Sequence, residues 1–454
     1  MITFERKIYQ KLLQWKAESQ GNEALLIEGA RRVGKSTVVE TFAQREYKSY
    51  ILIDFNDCEV SVKKAFDKLN DLNNFFAVLS YTYGVTLYPR NSLIIFDEVQ
   101  KFPKARQSIK KLVKDGRFDY IETGSLISIN ENVKDITIPS EETSIQMFPM
   151  DFEEFCTAFG KSNICEYIRQ CFFDSKPLEQ GLHDDAMQLF KLYMLIGGMP
   201  QSIAEYLEHS FSFEYSDRRK RSIISLYKKD IQKIKGAYRS KVLSTFEQIP
   251  AFLSKHEKRV TLSKIKNGIN TENTYENTFM WLGNSMITNN CLRCSDPNVG
   301  MALNSDDSAI KCYMGDTGLL FSHAFNENTI TNEQLYKQIM NDKLAINKGM
   351  LYENAIAQML VANGHKLYFY TRYNPILHRN DLEIDFLLSD MGSAGGKVVP
   401  VEVKSSKNYT TTSLTDFNRL YKKRIAKSFI IHPKKYSIKE DGTICIPPYM
   451  TICL

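Results

Sequence analysis

Residues 29–37 read GARRVGKST and follow the apolar run ALLIE at residues 24–28. The segment fits the pattern G-x-x-x-x-G-K-[ST] and lies where that pattern requires, between a predicted strand and a helix that begins near Lys35. Glycine allows a tight backbone turn that aims N–H groups at an anion, and the helix N-terminus adds a positive dipole. The sequence therefore predicts a loop that binds nucleotide phosphates, rather than an ordinary strand-to-helix turn that merely needs glycines.

A second motif, LIIFDE at residues 93–98, ends a predicted strand in two carboxylates. We expect Asp97 to hold Mg²⁺ together with Ser36, and Glu98 to orient or deprotonate the water that attacks the γ-phosphate. Thr123, at the end of the next strand, either contacts that water or the γ-phosphate or caps the following turn. Two solvated acids at a strand end are the alternative reading of Asp97 and Glu98.

These two motifs predict a site for ATP and Mg²⁺ in which Lys35, Glu98 and Thr123 are catalytic. Within the loop, Arg31 and Arg32 face either phosphate or solvent. The predicted ATP-binding residues are Gly29, Ala30, Arg31, Arg32, Val33, Gly34, Lys35, Ser36 and Thr37.

Around the loop, short apolar runs alternate with helical patterns. Runs such as LLIE, ILID and LIIF lack polar alternation, which is typical of parallel strands covered by helices on both faces. We therefore predict an α/β multidomain chain with a P-loop NTPase domain at residues 1–150. A helical and winged-helix-like region is predicted at 151–320, and a restriction-endonuclease-like α/β domain at 321–454.

The middle region contains a basic belt, RRKRSIISLYKKDIQKIKGAYRSK, at residues 218–241. It precedes a pattern of helices followed by short β-like segments, which predicts a winged helix. Beside a winged helix, the belt's cations are suited to neutralising DNA phosphates. A solvated helix face is the alternative.

The C-terminal region places Asp385 on one predicted strand and Glu402 and Lys404 on the next. Alternate strand residues share a face, so Glu402 and Lys404 point the same way, and Asp385 on a neighbouring strand completes a site for a second divalent metal. Glu353, on the preceding helix, offers another carboxylate. Half-buried strands whose charges pair across the sheet are the alternative.

GARRVGKST, LIIFDEVQ, TGSL, FPMDFEEF, GGMP and GDTGLL together resemble the bacterial and archaeal AAA-type ATPases that carry a C-terminal domain of unassigned function. The resemblance covers nearly the whole chain. It implies an ATPase core, a helical and winged-helix part, and a domain similar to the PD-(D/E)xK nucleases. Relatives often have a Gly-Arg pair where this chain has Ser140, Glu141 and Glu142, so the source of an arginine finger stays open.

The composition is that of an ordinary globular protein: 43% of the 454 residues are hydrophobic, 25% are charged and the net charge is +6. No apolar run approaches the roughly 18 residues that span a bilayer, so we expect a cytoplasmic protein without a membrane partner. The main hypothesis is an ATPase that controls a DNA-binding and DNA-cleaving module, and a homo-oligomer is compatible with it. The rival is a nucleotide-gated interaction switch without nuclease activity.

Overall fold

The computed structural model of the chain describes residues 2–124, 140–236, 238–255, 258–261, 272–327, 333–343, 347–376, 378–392 and 396–454. The chain forms two compact units. The first comprises Met1–Phe148 with Asn284–Met286, and the second comprises Pro149–Gly283 with Ile287–Leu454.

A parallel five-stranded sheet forms the centre of the first unit, with the spatial order β2-β3-β4-β1-β5. Its strands are β1 Ala24–Glu28, β2 Ser49–Asp54, β3 Ser92–Asp97, β4 Asp119–Gly124 and β5 Glu142–Gln146. Every residue of β3 and β4 is buried, as expected for strands covered on both faces. The arrangement matches the P-loop NTPase fold that the sequence predicts.

Helices cover both faces of this sheet. They are α1 Ile8–Ser19, α2 Lys35–Glu46, α3 Val60–Ala65, α4 Leu72–Tyr83 and α5 Pro103–Asp115. On one face, a core rich in phenylalanine packs the strands against α3, α4 and α5, with Phe66, Phe75 and Phe96 at its centre. Buried Val39 and Phe42 belong to α2, which contacts β2, β3 and β4.

The edge strand β5 is the one strand of this sheet that the sequence did not predict. Its residues ETSIQ are all exposed or partly exposed, so no apolar run marks them. The strand forms because its backbone pairs with β1, from Ala24 opposite Glu142 to Glu28 opposite Gln146. Backbone pairing of this kind leaves little trace in composition.

The second unit begins with helices that follow one another with short connections. They are α6 Phe152–Ala158, α7 Ser162–Phe173, α8 Gln180–Ile196, α9 Pro200–Glu208, α10 Phe213–Ile231, α11 Tyr238–Ser254 and α12 Glu272–Asn284. Four more lie further along the chain: α13 Thr317–Ala324, α14 Glu333–Met340, α15 Lys348–Ala362 and α16 Thr412–Leu420.

A mixed nine-stranded sheet completes the second unit, with the order β13-β14-β12-β11-β10-β9-β7-β8-β6. Its first five strands along the chain are β6 Arg259–Thr261, β7 Thr288–Cys294, β8 Ser305–Met314, β9 Tyr368–Asn374 and β10 Arg379–Asp390. The others are β11 Lys397–Val403, β12 Phe429–Ile431, β13 Ser437–Ile438 and β14 Ile444–Ile446. Strands β7 and β9 pair in parallel through Leu292 and Arg293, so one sheet takes strands from both sides of residue 320.

The predicted helix that carries Glu353 and the two predicted strands that carry Asp385 and Glu402 are confirmed as α15, β10 and β11. Two further strands, β13 and β14, extend the sheet. Part of the predicted winged helix falls on residues 262–271, which lie outside the described residues. Within the part of the chain that the structure describes, no helix combines the length and apolar character needed to cross a membrane.

Candidate nucleotide-binding site

The loop at residues 29–37 joins β1 to the N-terminus of α2. Gly34 has a φ of 100°, a conformation that only glycine adopts without strain. Gly29 is required for another reason, because a Cβ at this position would lie 2.4 Å from the carbonyl oxygen of Met147. Ala30 and Val33 are buried and anchor the loop.

Lys35 lies inside the loop, with 8% of its surface exposed. Its Nζ donates to the carbonyl oxygens of Gly29 and Ala30, at 2.9 and 3.0 Å. Burial lowers the pKa of Lys35 to about 8, against the opposing effect of Glu98 and Asp97. A phosphate at the loop would add negative charge and favour the ammonium form.

Asp97, at the end of β3, accepts hydrogen bonds from several polar groups at this edge of the sheet. Its Oδ1 accepts hydrogen bonds from Ser36 Oγ at 3.0 Å, from the Thr123 hydroxyl and from the backbone N–H of Glu98 at 3.1 Å. Asp97 and Thr123 are buried, at 8% and 1% exposure. One hydroxyl from the loop and one from β4 therefore converge on a single carboxylate oxygen.

Glu98 follows with a φ of 54°, in the left-handed region that non-glycine residues rarely occupy. The Gln100 side-chain amide donates to Glu98 Oε2 and holds this carboxylate in place. Backbone conformations of this kind cluster at functional sites.

Arg6 also contacts the phosphate-binding loop, although no sequence motif predicted it. Its guanidinium donates to Val33 O and Phe148 O, both at 2.7 Å, and so ties the loop to the end of the unit. No local pattern marks Arg6, which lies 27 residues before its partner in the loop. Arg31 is partly exposed, while Arg32 and Thr37 are exposed.

Glu142, in the segment that departs from the AAA-type relatives, forms an ion pair with Arg106 of α5. Arg106 Nη2 donates to Glu142 Oε1 at 2.6 Å, and Arg106 Nε donates to Glu142 Oε2 at 3.1 Å. Both side chains are largely buried. Burial raises the pKa of neighbouring Glu122 well above its usual range, and the nearby charge of Glu142 acts in the same direction.

Of the four C-terminal candidates, Glu353 and Asp385 both contact a lysine, whereas Glu402 and Lys404 pair with each other. Val403 N donates to Asp385 Oδ2 at 2.9 Å, and Lys404 Nζ pairs with Glu402 Oε1 at 2.7 Å. Between Asp385 and Glu353 lies the ammonium of Lys311, 3.2 and 3.3 Å from their oxygens. Among the described residues no group of three or more His, Cys, Asp or Glu side chains is arranged to hold a metal, so the prediction of a second metal here is not supported.

Five of the ten cations in the basic belt form ion pairs with acidic neighbours that the structure describes. Lys220 is fully buried, and its Nζ donates to Leu195 O at 2.5 Å. This side chain is therefore not accessible to DNA. The ion pairs join Arg218 to Glu214, Arg219 to Glu205, Arg221 to Asp217, Lys228 to Glu247 and Lys233 to Asp230.

A parallel sheet, a glycine-turned loop between β1 and α2 and a carboxylate at the tip of β3 define a P-loop nucleotide-binding protein. Residues 21–156 match a family model described as an AAA domain. The chain is therefore a P-loop ATPase with an AAA domain. Residues 187–329 and 348–451 match two domains of unknown function, DUF8612 and DUF4143, and no curated protein matches the chain.

Solved structures resemble the chain only distantly. A Walker-type ATPase of Pyrococcus abyssi is 15% identical, with a TM-score of 0.41 over 71% of this chain and 96% of that one. The ORC1 protein of Aeropyrum pernix, in complex with DNA, is 10% identical with a TM-score of 0.27, over 72% and 94%. A signal transduction ATPase (STAND) with a tetratricopeptide repeat sensor from Pyrococcus horikoshii is 12% identical with a TM-score of 0.28, over 80% and 50%. Similarities this distant do not bear on activity or partners.

Proposed function

We propose that the loop at residues 29–37 and the tips of β3 and β4 form the catalytic site for ATP hydrolysis. The observation that carries this proposal is the convergence of Ser36 and Thr123 on one oxygen of Asp97, beside Lys35. In this site the loop N–H groups and the Lys35 ammonium bind the β- and γ-phosphates.

The donor set suits Mg²⁺, because the Ser36 hydroxyl and the Asp97 carboxylate supply the oxygen ligands that this ion prefers. When bound, Mg²⁺ would neutralise charge that develops on the phosphates. Asp97 would hold the ion, directly or through water. The Thr123 hydroxyl donates to Asp97 and so orients its carboxylate.

Glu98 is proposed to orient and deprotonate the attacking water. The water oxygen forms a bond to the γ-phosphorus, the bond from that phosphorus to the bridging oxygen of ADP breaks, and Glu98 accepts the water proton. Gln100 fixes the Glu98 carboxylate through its side-chain amide.

Two variants separate binding from turnover. Lys35→Ala should lower ATP affinity at least a hundredfold, because it removes the buried ammonium. Glu98→Gln should retain affinity and lose at least a hundredfold in kcat. The exposed residues Lys11 and Glu59 provide matched controls as Lys11→Ala and Glu59→Gln. Parental hydrolysis by Glu98→Gln would refute its role as water activator.

DNA binding is a second proposed property, and it rests on the cations of the belt that remain exposed. Within the described residues, Lys229, Lys235 and Arg239 are exposed and stand outside the ion pairs of the belt. Lys229 and Lys235 precede α11, and Arg239 lies in its first turn. Helices α11 and α12 and the antiparallel strands β7 and β8 then follow one another in an order that suits a winged helix. Cleavage of the DNA is not proposed, since Lys311 lies among the carboxylates that would bind the metal.

The DNA proposal is tested by salt dependence. Replacing Lys229, Lys235 and Arg239 by Gln should lower the slope of log K against log salt by up to about 2.7, at roughly 0.9 for each phosphate contact. Lys228→Gln with Lys233→Gln is the control, because both lysines are already paired. Absence of DNA binding at low salt would leave the rival, a nucleotide-gated interaction switch.

A further inference from the structure

Lys311 of β8 lies inside the carboxylate cluster of the C-terminal region. Its Nζ is 3.3 Å from Glu353 Oε1, 3.0 Å from Glu383 Oε1 and 3.2 Å from Asp385 Oδ1. Lys311 and Glu353 are almost fully buried, at 1% and 3% side-chain exposure. A lysine ammonium has three N–H donors; here carboxylate oxygens of Glu353 and Asp385 accept hydrogen bonds from it, and Glu383 forms an ion pair with it.

The fold brings these groups together from distant parts of the chain. Glu353 comes from α15, Glu383 and Asp385 come from β10, and β7 and β9 separate β8 from β10 in the sheet. In a sheet, strands three places apart lie about 14 Å from each other, so Lys311 contacts carboxylates across two intervening strands.

Other protein groups also donate to the oxygens of Glu353 and Asp385. Lys258 Nζ pairs with Glu353 Oε2, and the Tyr313 hydroxyl donates to Glu353 Oε1. Asp385 Oδ2 accepts from Val403 N at 2.9 Å. Both oxygens of Glu353 and both of Asp385 thus have donors from the chain itself.

The position of Lys311 is held by its backbone as well as by its charge. Its strand pairs on both sides, with Cys291 of β7 and Arg259 of β6 opposite Lys311. Burial opposes its charge, but Glu353, Glu383 and Asp385 together raise the pKa of Lys311 well above its usual value. The ammonium therefore remains charged at neutral pH.

We propose that the Lys311 ammonium is the resident cation of this cluster in place of a divalent metal, and that Glu353, Glu383 and Asp385 form a latent metal site which Lys311 keeps closed. Oxygen ligands approach Mg²⁺ to about 2.1 Å and Ca²⁺ to about 2.4 Å, whereas the ammonium satisfies the same oxygens at hydrogen-bond distance. Removing the ammonium leaves buried negative charge, for which a divalent cation is the natural partner. This inference does not depend on the ATPase site.

The test uses Mn²⁺ binding to the full chain without nucleotide, followed by electron paramagnetic resonance. Lys311→Ser should bind one more Mn²⁺ than the parent, at least tenfold more tightly than any site the parent has. Adding Asp385→Asn to Lys311→Ser should abolish the gain. Lys311→Arg, which keeps a cation in the cluster, is the matched control and should bind no additional Mn²⁺.

If Lys311→Ser does not fold, Mn²⁺ binding to the parent and to Asp385→Asn still tests the proposal. The parent and Asp385→Asn should bind Mn²⁺ identically. Parental Mn²⁺ binding that Asp385→Asn abolishes would overturn the proposal, because the site would then already hold a metal. A folded Lys311→Ser that binds no more Mn²⁺ than the parent would overturn it equally.

Discussion

Gly29 and Gly34 are both motif glycines, but they are needed for different physical reasons. Gly34 supplies a positive φ, whereas Gly29 leaves room for the Met147 carbonyl, which is held close because Met147 N donates to Glu28 O at 2.7 Å. We predict that Gly29→Ala lowers the free energy of unfolding by about 1–3 kcal/mol, since the backbone contact cannot relax. Urea unfolding measures this change.

The matched control for Gly29→Ala is Gly181→Ala. Gly181 lies in α8, and a Cβ there would meet nothing within 4 Å. Alanine in a helix is favoured over glycine by roughly 1 kcal/mol, so this variant should be as stable as the parent or more so. Equal stability of the parent and Gly29→Ala would contradict the proposed close contact.

The surroundings of His432 lead to a prediction of how the free energy of unfolding depends on pH. His432 is 3% exposed, its Nδ1 is 2.8 Å from the Tyr409 hydroxyl, and burial lowers its pKa to about 4. The folded value lies below the usual 6.5, so the unfolded chain takes up the proton first as the pH falls. Stability is therefore lost from about pH 6.5 downwards, by about 2 kcal/mol at pH 5 from this group.

Urea unfolding at pH 7 and pH 5 tests the His432 effect. His432→Gln should remove about 2 kcal/mol of the difference between the two pH values, whatever its effect at pH 7. His378→Gln, at an exposed position, is the control and should leave the difference unchanged. An equal loss of stability in the parent and in His432→Gln would show that this histidine does not carry the effect.

Residues within one short motif could be predicted from the sequence, and those that reach a site from elsewhere could not. The loop and Asp97 stand in contiguous patterns whose spacing reflects the strand and helix that carry them. Arg6 contacts the loop across 27 residues, and Lys311 reaches Glu353 and Asp385 across 42 and 74. Such contacts depend on tertiary packing, and no local periodicity encodes them.

Among the elements, Asp316 at the start of α13 connects three segments. Its Oδ1 caps α13 by accepting from Leu319 N at 2.9 Å, and its Oδ2 accepts from Gly198 N at 2.5 Å and Gln358 Nε2 at 3.2 Å. Asp316 is 1% exposed. Asp316→Ala would leave buried donors unsatisfied, so we predict a loss of at least about 3 kcal/mol in the free energy of unfolding.

Asp71→Ala is the matched control for Asp316→Ala, because Asp71 caps α4 in the same way at an exposed position. Loss of an exposed cap costs about 1 kcal/mol. Denaturant unfolding of both variants separates the contribution of the Asp316 helix cap from that of its bonds to Gly198 and Gln358. If Asp316→Ala lost no more stability than Asp71→Ala, its bonds to Gly198 and Gln358 would contribute nothing.

Strands with continuous apolar runs were predictable as elements, whereas those defined by their partners were not. All six residues of β3 are buried, and its run LIIF marked it in the sequence. In contrast, β8 begins with the polar residues SDDS, and its place beside β7 and β6 in the large sheet is defined by backbone pairing. The continuation of that sheet across residue 320 followed from no pattern in the sequence.

At the scale of the whole molecule, the pattern of apolar runs and helices predicted several domains but not how nucleotide binding in one part affects another. A nucleotide switch, in which binding in one part of the chain alters another part, can be tested by measurement. In Glu98→Gln, which should bind ATP without turnover, Mg²⁺–ATP at a hundred times its Kd stabilises the first unit by about 2.7 kcal/mol. Amide hydrogen exchange should slow in β1, α2 and β3, where the loop and Asp97 lie.

If ATP acts as a switch, exchange must also differ between the ATP and ADP states in the second unit, with α10 and α11 as the segments to follow. A ligand changes a distant segment only through a difference in its affinity for two states of the protein. Lys35→Ala should show at most a small part of either effect, because an affinity at least a hundredfold weaker leaves no more than half of its sites filled at this ATP concentration. Protection confined to the first unit would leave ATP binding intact and exclude the switch, whereas no protection in either unit would refute the nucleotide site itself.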